Sequence, residues 1–412
     1  METINFTINL APEVKNFNQF EDYLVKEIRL QVCELIVRYL AVWDRKLGNL
    51  LRQRYPQYRF QGFIRRKVRC YFGTIWVKVR RYCHVGWRDV YPLLYVLPKD
   101  GLSIQLRDLI LELVTDVSYQ RTNRYLKLAT GVDLSGRTIW RKVQRLGQEE
   151  RNRREAVRHK IFEAGRDEFP QDYHQLTQRE NRQPVYLEVD GTMVSSQERG
   201  EERFEIKTGI MYSQVQQIGQ RRWRLSDKVL YGRVSKGLTF GEQFYAFCRE
   251  RGLDLRRKLV LVSDGAGWIH SLAENVFPEA EKRLDLYHLR RAWETVLDEA
   301  EAADLALAVV PESGAQMIER IQEIYRLKHL SGESVSNLIQ YLINNRESIH
   351  YPPGERHGSG GVEKNIGILV GRRFKKQGMS WSHEGANNLL ALRAKKLNQL
   401  WQQELEALNY DR

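Results

Sequence analysis

Two short apolar runs that each end in Asp-Gly constrain the fold of this chain more than any other feature. In VYLEVDGTMV, Asp190 ends an apolar run and precedes Gly191, and in KLVLVSDGAGW, Asp264 stands in the same position before Gly265. Runs of this length and composition predict buried strands. A carboxylate at the end of a buried strand is costly unless it is paired or binds a cation. Two acids in this same context therefore indicate a shared site.

Around these two runs, the patterns of strand and helix follow a definite order. From Pro184 there are three strand-like stretches (VYLEVDGTMV, RFEIKTGIMYSQV and DKVLYGRVS), then the helical stretch FGEQFYAFCRERG, then shorter strands that alternate with helices. This is the order of an RNase H-like domain. Residues 291–354 show a helical pattern without a strand signal, which indicates an all-helical insertion. We therefore predict a multi-domain α/β protein whose RNase H-like catalytic domain comprises residues 184–290 and 355–400.

A third acid stands in the run GSGGVEKNIGILVGRRFKKQGMSWS, where Glu363 follows glycines and precedes basic residues. Carboxylates from two strand ends and one helix are the hard oxygen ligands that Mg²⁺ prefers. In two-metal phosphoryl transfer the ions lie ~3.5–4 Å apart and stabilise the attacking and leaving oxygens. The residue pattern alone does not choose Glu363 over Glu355, or Asp264 over Asp285. The basic residues that follow Glu363 are expected to hold a phosphate backbone: Lys364, Arg372, Arg373, Lys375 and Lys376.

Positive charge is concentrated in the amino-terminal part of the chain. The 412 residues carry a formal net charge of +14, and residues 51–100 alone hold twelve Lys/Arg against two acids. Such a concentrated basic region is typical of a nucleic-acid-binding protein. A helical region at 1–60, with one or two helices over 17–54, precedes a predicted β-hairpin region at 61–100. One face of the hairpin is expected to present Arg65, Lys67, Arg69, Lys78 and Arg80.

The next region, residues 101–150, has the layout of a helix-turn-helix domain. It shows three helical segments, broken near Val117-Ser118 and at Gly131, and Ser135 is placed to cap the last of them. In this motif the last helix enters the major groove of DNA. A charged linker helix is predicted for residues 151–183. The reading face of the last helix in the motif would comprise Arg137, Thr138, Arg141, Lys142 and Arg145.

Several classes of protein are disfavoured by composition. The four cysteines form no CxxC pair, which fits a reducing compartment and does not fit a disulfide scaffold. The start METINFTINLAPE lacks the basic and apolar regions of a signal peptide, and no apolar run approaches the ~20 residues of a membrane helix. We expect a cytoplasmic, nucleoid-associated protein with no membrane partner.

Longer motifs carry a resemblance to a known family. LVSDGAGWIHSLAENVFPEAEKRLDLYHLRRAW and GSGGVEKNIGILVGRRFKKQGMSWSHEGANNLLALR, together with the upstream VDGT, resemble the bacterial insertion-sequence DDE transposases of the ISLre and ISKra groups, which are related to Mutator-like transposases. The resemblance covers roughly residues 73–401. It implies an RNase H-like catalytic domain with an all-helical insertion. It also implies an acidic triad at Asp190, Asp264 and Glu363.

The same resemblance singles out LDLYH, which is similar to the Asp/Cys-x-x-His motif of related transposases. Asp285 and His288 would order the site or contact DNA, and the alternative for His288 is a hydrogen-bonded, half-buried histidine. Three other acids are interpreted as surface or cap residues, and two tryptophans as core residues. These are Glu188, Asp254, Glu355, Trp268 and Trp381.

Together these patterns predict a transposase that uses two Mg²⁺ ions, with Mn²⁺ as a substitute. Its partners would be double-stranded DNA, namely the terminal inverted repeats of an element and target DNA. Activated water would cut a phosphodiester, and the freed 3′-hydroxyl would attack the target. Bringing two ends together calls for a homodimer or larger assembly. The alternatives are an RNase H-like nuclease without strand transfer and a non-catalytic, transposase-derived DNA-binding protein.

Overall fold

A computed structural model describes residues 14–173, 184–220, 222–294, 314–328, 333–352 and 360–400 of the chain. The chain divides into two compact units, Met1–Lys142 and Val143–Arg412, and both helices and sheets are present. The protein is therefore a multi-domain, mixed α/β protein, as predicted.

The first unit begins with one long helix packed on a hairpin. Helix α1 spans Phe17–Arg54, and the side chain of Asn16 caps it by accepting a hydrogen bond from the Gln19 N–H. Strands β1 (Arg59–Cys70) and β2 (Gly73–Cys83) pair antiparallel as the predicted hairpin. Because side chains alternate across a strand, the hairpin buries one face. That face packs against α1 and the 3₁₀ turn Pro92–Tyr95 through Val68, Ile75, Val77, Val79 and Leu93.

Three helices follow in the order that the sequence indicates. They are α2 (Ile104–Val114), α3 (Tyr119–Thr130) and α4 (Gly136–Phe162). Ser103 and Ser118 cap α2 and α3, and Gly131 ends α3 in the left-handed conformation at φ 70°. Ser135 accepts a hydrogen bond from the Thr138 N–H at 3.2 Å, as predicted for the start of α4. Helix α4 runs without a break through residue 150, the predicted end of this region, and the short helix α5 (Pro170–Tyr173) follows.

The second unit is built on a five-stranded mixed sheet. Its strands are β3 (Val185–Ser195), β4 (Arg203–Tyr212), β7 (Val229–Arg233), β8 (Leu259–Ser263) and β9 (Glu281–Leu284). The spatial order is β7-β4-β3-β8-β9. Strand β4 is antiparallel to β3 and β7, whereas β8 is parallel to β3 and β9 is parallel to β8. Strands β5 (Gln214–Gly219) and β6 (Arg222–Ser226) form a separate two-stranded antiparallel sheet between β4 and β7.

Helices between these strands complete the main core. Helix α6 (Gly237–Glu250) joins β7 to β8, and α7 (Gly267–Asn275) joins β8 to β9. Their apolar residues pack on the sheet together with Val189 and Leu261, and Phe240, Phe244 and Leu272 are fully buried there. Strand β3, which contains Asp190, and strand β8, which Asp264 follows, are thus held in the core by their apolar residues.

A second core lies beyond β9. Helices α8 (Leu286–Glu294), α9 (Gly314–Lys328) and α10 (Glu333–Asn344), with the 3₁₀ turn Arg346–Ser348, pack around Leu284 and Trp293. The predicted helical insertion is helical wherever it is described, except for short connections. Its residues 295–313 and 329–332 lie outside the described residues.

The last described segment contains a distorted helix and a buried one. Helix α11 (Gly360–Ile366) continues through a π-helical turn (Gly367–Gly371) into the short helix α12 (Arg372–Phe374), and α13 spans His383–Leu397. Buried Arg393 of α13 donates hydrogen bonds to the carbonyls of Ile368 and Leu369 in the π-helical turn. Within the described residues, no helix is long and apolar enough to cross a membrane.

Candidate carboxylate site

The two Asp-Gly acids lie at neighbouring positions of the sheet. Strands β3 and β8 are parallel neighbours, with Glu188 opposite Val262. Asp190 lies two residues beyond Glu188, and Asp264 directly follows the end of β8. The prediction that Asp190 ends its strand is wrong, because β3 continues to Ser195 and Asp190 pairs with Thr208 of β4. The chain nevertheless brings residues 74 positions apart to neighbouring places, just beyond the last paired residues of β3 and β8.

The charge of Asp264 acts on the ionisation of Asp190. Burial, and the negative charge of Asp264, raise the pKa of Asp190 to about 6, although a hydrogen bond from the Gly191 N–H works in the opposite direction. A nearby cation would favour the charged form of Asp190 and so oppose both effects. The donor set is therefore chemically suited to Mg²⁺, which prefers carboxylate oxygens.

The loop after β8 is held from two sides. Asp264 accepts a hydrogen bond from the Ala266 N–H at 2.9 Å, and its own carbonyl accepts one from the Tyr341 hydroxyl at 2.9 Å. Gly265 has φ +83°, and a Cβ there would lie 2.6 Å from Oδ1 of buried Asn345. Only glycine fits both the backbone conformation and this close approach. Residues at the end of α10 thus fix the backbone that carries Asp264.

Asp285 and His288 complete the cluster of titratable groups. Asp285 directly follows β9 and is buried, and His288 Nδ1 lies 2.5 Å from its Oδ2. The hydrogen bond to Asp285 raises the pKa of His288, and the charges of Asp285, Asp264 and Asp190 act in the same direction against burial. His288 is thus a half-buried, hydrogen-bonded histidine, and it also lies in the field of both Asp-Gly acids.

Glu363 occupies a different position from these residues. It lies on the first turns of α11 and is exposed. Among the residues that the structure describes, no three His, Cys, Asp or Glu side chains converge as a ready-made metal cage. Asp190, Asp264 and Asp285 nevertheless lie near enough to His288 for their charges to act on it, so these four residues occupy one region, and Glu363 is not among them. Glu355, the alternative third acid, lies outside the described residues.

Glu188 is the residue that sequence reasoning missed. We expected a surface or cap residue, but its side chain is fully buried. Its Oε1 accepts a hydrogen bond from the Tyr212 hydroxyl, and its Oε2 accepts one from the Val362 N–H at 2.6 Å. A Cβ on Gly361 would lie 2.7 Å from this carboxyl group. Glu188 thus links β3, which carries Asp190, to the start of α11, which carries Glu363.

The remaining acids and tryptophans follow the expectations more closely. Asp254 accepts a hydrogen bond from the Arg256 N–H at 3.0 Å and so acts as a cap, although it is also buried. Trp381 is buried against Phe374, and Trp268 is half-buried against the main core. Core packing is therefore the role that the structure gives both tryptophans.

The predicted basic face of the hairpin is present. The exposed face pairs Arg65 with Lys78, Lys67 with Trp76, and Arg69 with Thr74. Among the described residues, none of its four cations Arg65, Lys67, Arg69 and Lys78 has an acidic partner. Arg80 differs, because it forms an ion pair with the buried Asp44 at 3.3 Å.

The predicted reading face of α4 is only partly exposed. Arg137, Arg141 and Arg145 are exposed on the helix. Thr138 is bonded to Ser135, and the Lys142 ammonium lies 3.5 Å from Asp100, with 17% of its side chain exposed. Lys142 is therefore already engaged within the first unit, because a buried acid attracts it.

The five basic residues after Glu363 also divide into two groups. Lys364, Arg372, Lys375 and Lys376 are exposed, and Lys375 bonds to the Thr192 hydroxyl of β3 at 2.5 Å. Arg373 is buried, with its guanidinium 4.8 Å from the centre of the Trp381 ring. The prediction that Arg373 holds the phosphate backbone of DNA is therefore wrong. Its guanidinium lies beside the Trp381 indole in the core and is not part of the basic surface.

The fold and the site together define a multi-domain, mixed α/β protein with a half-buried carboxylate pair beside two adjacent parallel strands. The chain belongs to the family described as Uncharacterised protein family (UPF0236), whose model matches residues 10–408. It is similar to the UPF0236 protein in the vanSb 3′ region of Streptococcus gallolyticus. The two are 24% identical over 357 residues, which cover 82% of this chain and 74% of that protein.

Proposed function

We propose that this protein is a DDE transposase that cuts and joins the ends of an insertion sequence by two-metal phosphoryl transfer. The proposal depends above all on the juxtaposition of Asp190 and Asp264 beside adjacent parallel strands. Burial and the charge of Asp264 raise the pKa of Asp190 to about 6. The motif resemblance to insertion-sequence transposases of the ISLre and ISKra groups supports it.

The sheet supports an RNase H-like assignment for the second unit. Three antiparallel strands (β3, β4 and β7) are followed by two strands that are parallel to β3 and separated by helices. The helical segments after β9 match the all-helical insertion that the resemblance implies. In the first unit, α2, α3 and the start of α4, with exposed Arg137 and Arg141, are consistent with a helix-turn-helix domain.

Asp190 and Asp264 would hold the metal ions, Mg²⁺ or Mn²⁺. Glu363 is the third ligand that the resemblance implies, and it would join them from the start of α11. When bound, the ions supply charge stabilisation of the attacking and leaving oxygens. The chain itself supplies positioning: the Tyr341 hydroxyl and Asn345 fix the Asp264 loop, and Glu188 fixes the start of α11. Such pre-organisation supplies much of the rate in phosphoryl transfer.

His288 has a distinct role in this proposal. Because its pKa is raised by Asp285 and the neighbouring acids, the imidazole holds a proton at neutral pH more readily than a free histidine does. A protonated ring donates hydrogen bonds and carries positive charge toward a DNA phosphate. Its Nδ1 remains tied to Asp285, which fixes the orientation of the ring.

The DNA partners of the proposal are terminal inverted repeats and target DNA in duplex form. The four-cation face of the hairpin and the exposed basic residues after Glu363 would neutralise phosphates, which supplies sequence-independent affinity. The exposed arginines of α4 would contact base edges. A cytoplasmic, nucleoid-associated location and a homodimer or larger assembly on DNA complete the proposal.

A cleavage assay tests it. Purified protein with Mg²⁺ or Mn²⁺ is incubated with labelled duplexes that carry the DNA flanking the gene, beside Glu363→Gln and Asp190→Asn. Glu149→Gln is the matched control, because Glu149 lies on α4, is 61% exposed and pairs with Arg145 of the same helix. We expect cutting at the repeat boundary and joined products from the wild type and the control, and neither from the two site variants.

Each other outcome identifies an alternative. Cutting without joined products would indicate an RNase H-like nuclease. Salt-sensitive binding without cutting by any of the proteins would indicate a non-catalytic DNA-binding protein.

A further inference from the structure

A polar cavity lies among residues of α4, the end of β7 and the first turns of α6, all within the second unit. Its volume is about 250 Å³. This is below the roughly 300–1,000 Å³ of pockets that hold whole organic ligands, so the cavity suits a small group. Four uncharged polar residues, three arginines and two glutamates line it, and the charged ones are Arg151, Arg158, Arg233, Glu155 and Glu242.

Both glutamates of the cavity are bound by one of its arginines. Arg158 donates hydrogen bonds to Glu155 and, at 2.8 Å, to Glu242, and it also donates to Glu163 at 2.6 Å. The Gln243 side chain donates a further bond to Glu155 at 2.7 Å. Arg158 and the two glutamates thus satisfy one another within the protein.

Arg233 is bonded far less well. Its side chain is only 18% exposed, yet its guanidinium donates no hydrogen bond to any residue that the structure describes. Its ion pair with Glu155 measures 3.7 Å, which is too long for a hydrogen bond, and its Nε is buried without an acceptor. A guanidinium has five N–H donors, and leaving buried donors without acceptors is costly. An anionic ligand would satisfy them.

Arg151 supplies a second set of donors beside the same cavity. Its Nη1 donates to Gln148 at 3.2 Å and to Asn388 at 3.0 Å, which fixes the guanidinium. Its Nε and Nη2 find no acceptor in the described part of the chain. Burial, and then the positive charge of Arg233, lower the pKa of Arg151, although nearby acids act in the opposite direction. An anion beside both arginines would favour their charged forms.

The donors around the cavity indicate which anion fits. The rigid, planar fork of an arginine matches the oxygen atoms of a phosphate group, and two such forks can hold one group from two sides. The start of α6 adds to the positive potential, because Thr239 in its first turn lines the cavity and no side chain caps the helix at Lys236.

We propose that Arg151 and Arg233 bind a phosphate group in this cavity. Two sources carry such a group with the same oxygen chemistry: a small phosphate compound and the backbone of DNA. The first source is independent of the proposed transposase function, and the second rests on it.

The strand register shows how a DNA backbone could reach the cavity. Arg233 pairs with Lys207 of β4, and Lys207 pairs with Gly191 of β3, which directly follows Asp190. Neighbouring strands lie ~4.8 Å apart, so the Cα atoms of Arg233 and Gly191 are separated by roughly 10 Å. A DNA strand that passes the carboxylates would therefore have a phosphate near the cavity.

The first test measures binding of inorganic phosphate to the full chain by isothermal titration calorimetry, in EDTA and at constant ionic strength. We expect one saturable site in the wild type. Arg151→Gln and Arg233→Gln should each weaken binding by about tenfold or more, because each removes charged hydrogen bonds to the anion. Arg256→Gln is the matched control and should bind like the wild type. Arg256 precedes β8, at the opposite end of that strand from Asp264, is 42% exposed and pairs with Asp254.

A second readout separates loss of binding from loss of the fold. Because Arg233 donates no hydrogen bond to the described residues, Arg233→Gln should keep the Tm of the wild type in phosphate-free buffer. It should lose the rise in Tm that phosphate gives the wild type. Arg233→Lys keeps the charge but not the planar fork, and it should recover part of the affinity.

A third measurement identifies the source of the phosphate group. Filter binding of a random-sequence duplex in EDTA, at several salt concentrations, gives the slope of log K against log salt. If the group belongs to DNA, the slope should be smaller by ~0.9 in Arg233→Gln than in Arg256→Gln. If it belongs to a small compound, the two slopes should agree, or no duplex should bind, while the loss of phosphate binding remains.

Two results would overturn the proposal. Phosphate binding as strong in both cavity variants as in the wild type would show an adventitious ion only. The other is a wild type that binds no phosphate, together with an unchanged salt slope in Arg233→Gln. Because EDTA removes divalent ions throughout, neither result depends on whether the proposed cleavage occurs.

Discussion

At the scale of single residues, Glu188 shows how one buried side chain can connect distant parts of a sequence. Its carboxyl group accepts hydrogen bonds from the Tyr212 hydroxyl and the Val362 N–H, which lie 24 and 174 residues away along the chain. A buried donor that loses its acceptor costs more than the bond itself contributed. The position of α11, and of Glu363 on it, therefore depends strongly on Glu188.

Replacement of Glu188 should affect stability according to the hydrogen bonds that survive. Glu188→Leu leaves the Tyr212 hydroxyl and the Val362 N–H without an acceptor, and we expect a loss of about 2–4 kcal/mol in the free energy of unfolding. Glu188→Gln keeps an oxygen for the Val362 N–H and an amide for Tyr212, so its loss should be below about 1.5 kcal/mol. Urea titrations measure both.

Tyr212→Phe is the control, because it removes only the hydroxyl that bonds to Glu188. Its loss in the free energy of unfolding should be smaller than that of Glu188→Leu. If Glu188→Leu unfolded at the same urea concentration as the wild type, the described link between β3 and α11 would not stabilise the protein.

At the scale of secondary-structure elements, a charge cluster ties α4 to α13. Glu150 accepts hydrogen bonds from Arg153 and Arg154, and Lys395 lies 3.5 Å from it. Arg154 also donates to the carbonyl of Ala391 at 2.9 Å. Burial acts to raise the pKa of Glu150, but the charge of Arg154 and the bond from Arg153 prevail and lower it to about 2.

The lowered pKa predicts a definite pH dependence. A carboxyl group whose pKa is lower in the folded than in the unfolded chain stabilises the fold above the unfolded pKa of ~4.3, and this contribution is lost as pH falls toward about 2. Glu150→Gln should therefore cost on the order of 2–3 kcal/mol near neutral pH, and the difference from the wild type should shrink between about pH 4 and pH 2. Denaturation at several pH values measures this difference.

Glu149→Gln is the matched control. Glu149 precedes Glu150 in the sequence, but its side chain is 61% exposed and lies 3.6 Å from Arg145. It should change stability little at any pH. A Glu150→Gln cost that persisted unchanged at pH 2 would contradict the assigned charge cluster.

The hairpin is the second element with a measurable consequence. If its exposed face binds DNA, replacing Arg65, Lys67, Arg69 and Lys78 by Gln removes up to four phosphate contacts. The slope of log K against log salt for duplex binding should then fall by about 3–4, since each contact contributes ~0.9. Fluorescence anisotropy at several salt concentrations measures the slope.

Arg81→Gln with Lys127→Gln is the control, because Arg81 pairs with Asp89 at 2.7 Å and Lys127 with Asp133 at 3.0 Å. We expect this control to change the slope less than the four-residue variant does. An unchanged slope in the four-residue variant would exclude the hairpin face as a DNA interface.

At the scale of the whole molecule, the two units should respond to different ligands. Metal ions at the carboxylates should slow backbone hydrogen exchange in β3, β8 and the Asp264 loop, because bound ligand stabilises the folded state around its site. Duplex DNA should instead protect β1 and β2. Exchange measured by mass spectrometry with Mg²⁺, with DNA, and with neither separates the two effects. Asp190→Asn should abolish the Mg²⁺ response and keep the response of the hairpin.

The sequence predicted those parts of the fold that local pattern controls. The apolar runs before Asp190 and Asp264 identified strands, and Ser135 identified a helix start, since both signals lie within a few residues. The continuity of α4 was missed. Gly147 weakens the helical pattern there, but a Cβ at this position would lie 2.4 Å from the carbonyl oxygen of Asn388, so packing explains the glycine.

Contacts between distant residues account for the remaining misses. The burial of Glu188 depends on Val362, and that of Arg373 depends on the Trp381 ring. From residue type alone, both Glu188 and Arg373 would be expected on the surface. One local signal was present for Glu188, because it interrupts the apolar run VYLEVD two residues before Asp190, on the same side of the strand.

The distance along the chain between Glu188 and Val362 also bears on how the protein is made. At about 5–20 residues per second, a ribosome needs roughly 10–35 s to add the 174 residues that separate them. During that time β3 is complete, but the helix it holds does not yet exist. A nascent or truncated chain that ends before Val362 therefore lacks Glu363 and the contact that positions it. Only a polypeptide that extends past Val362 can place Glu363 against β3.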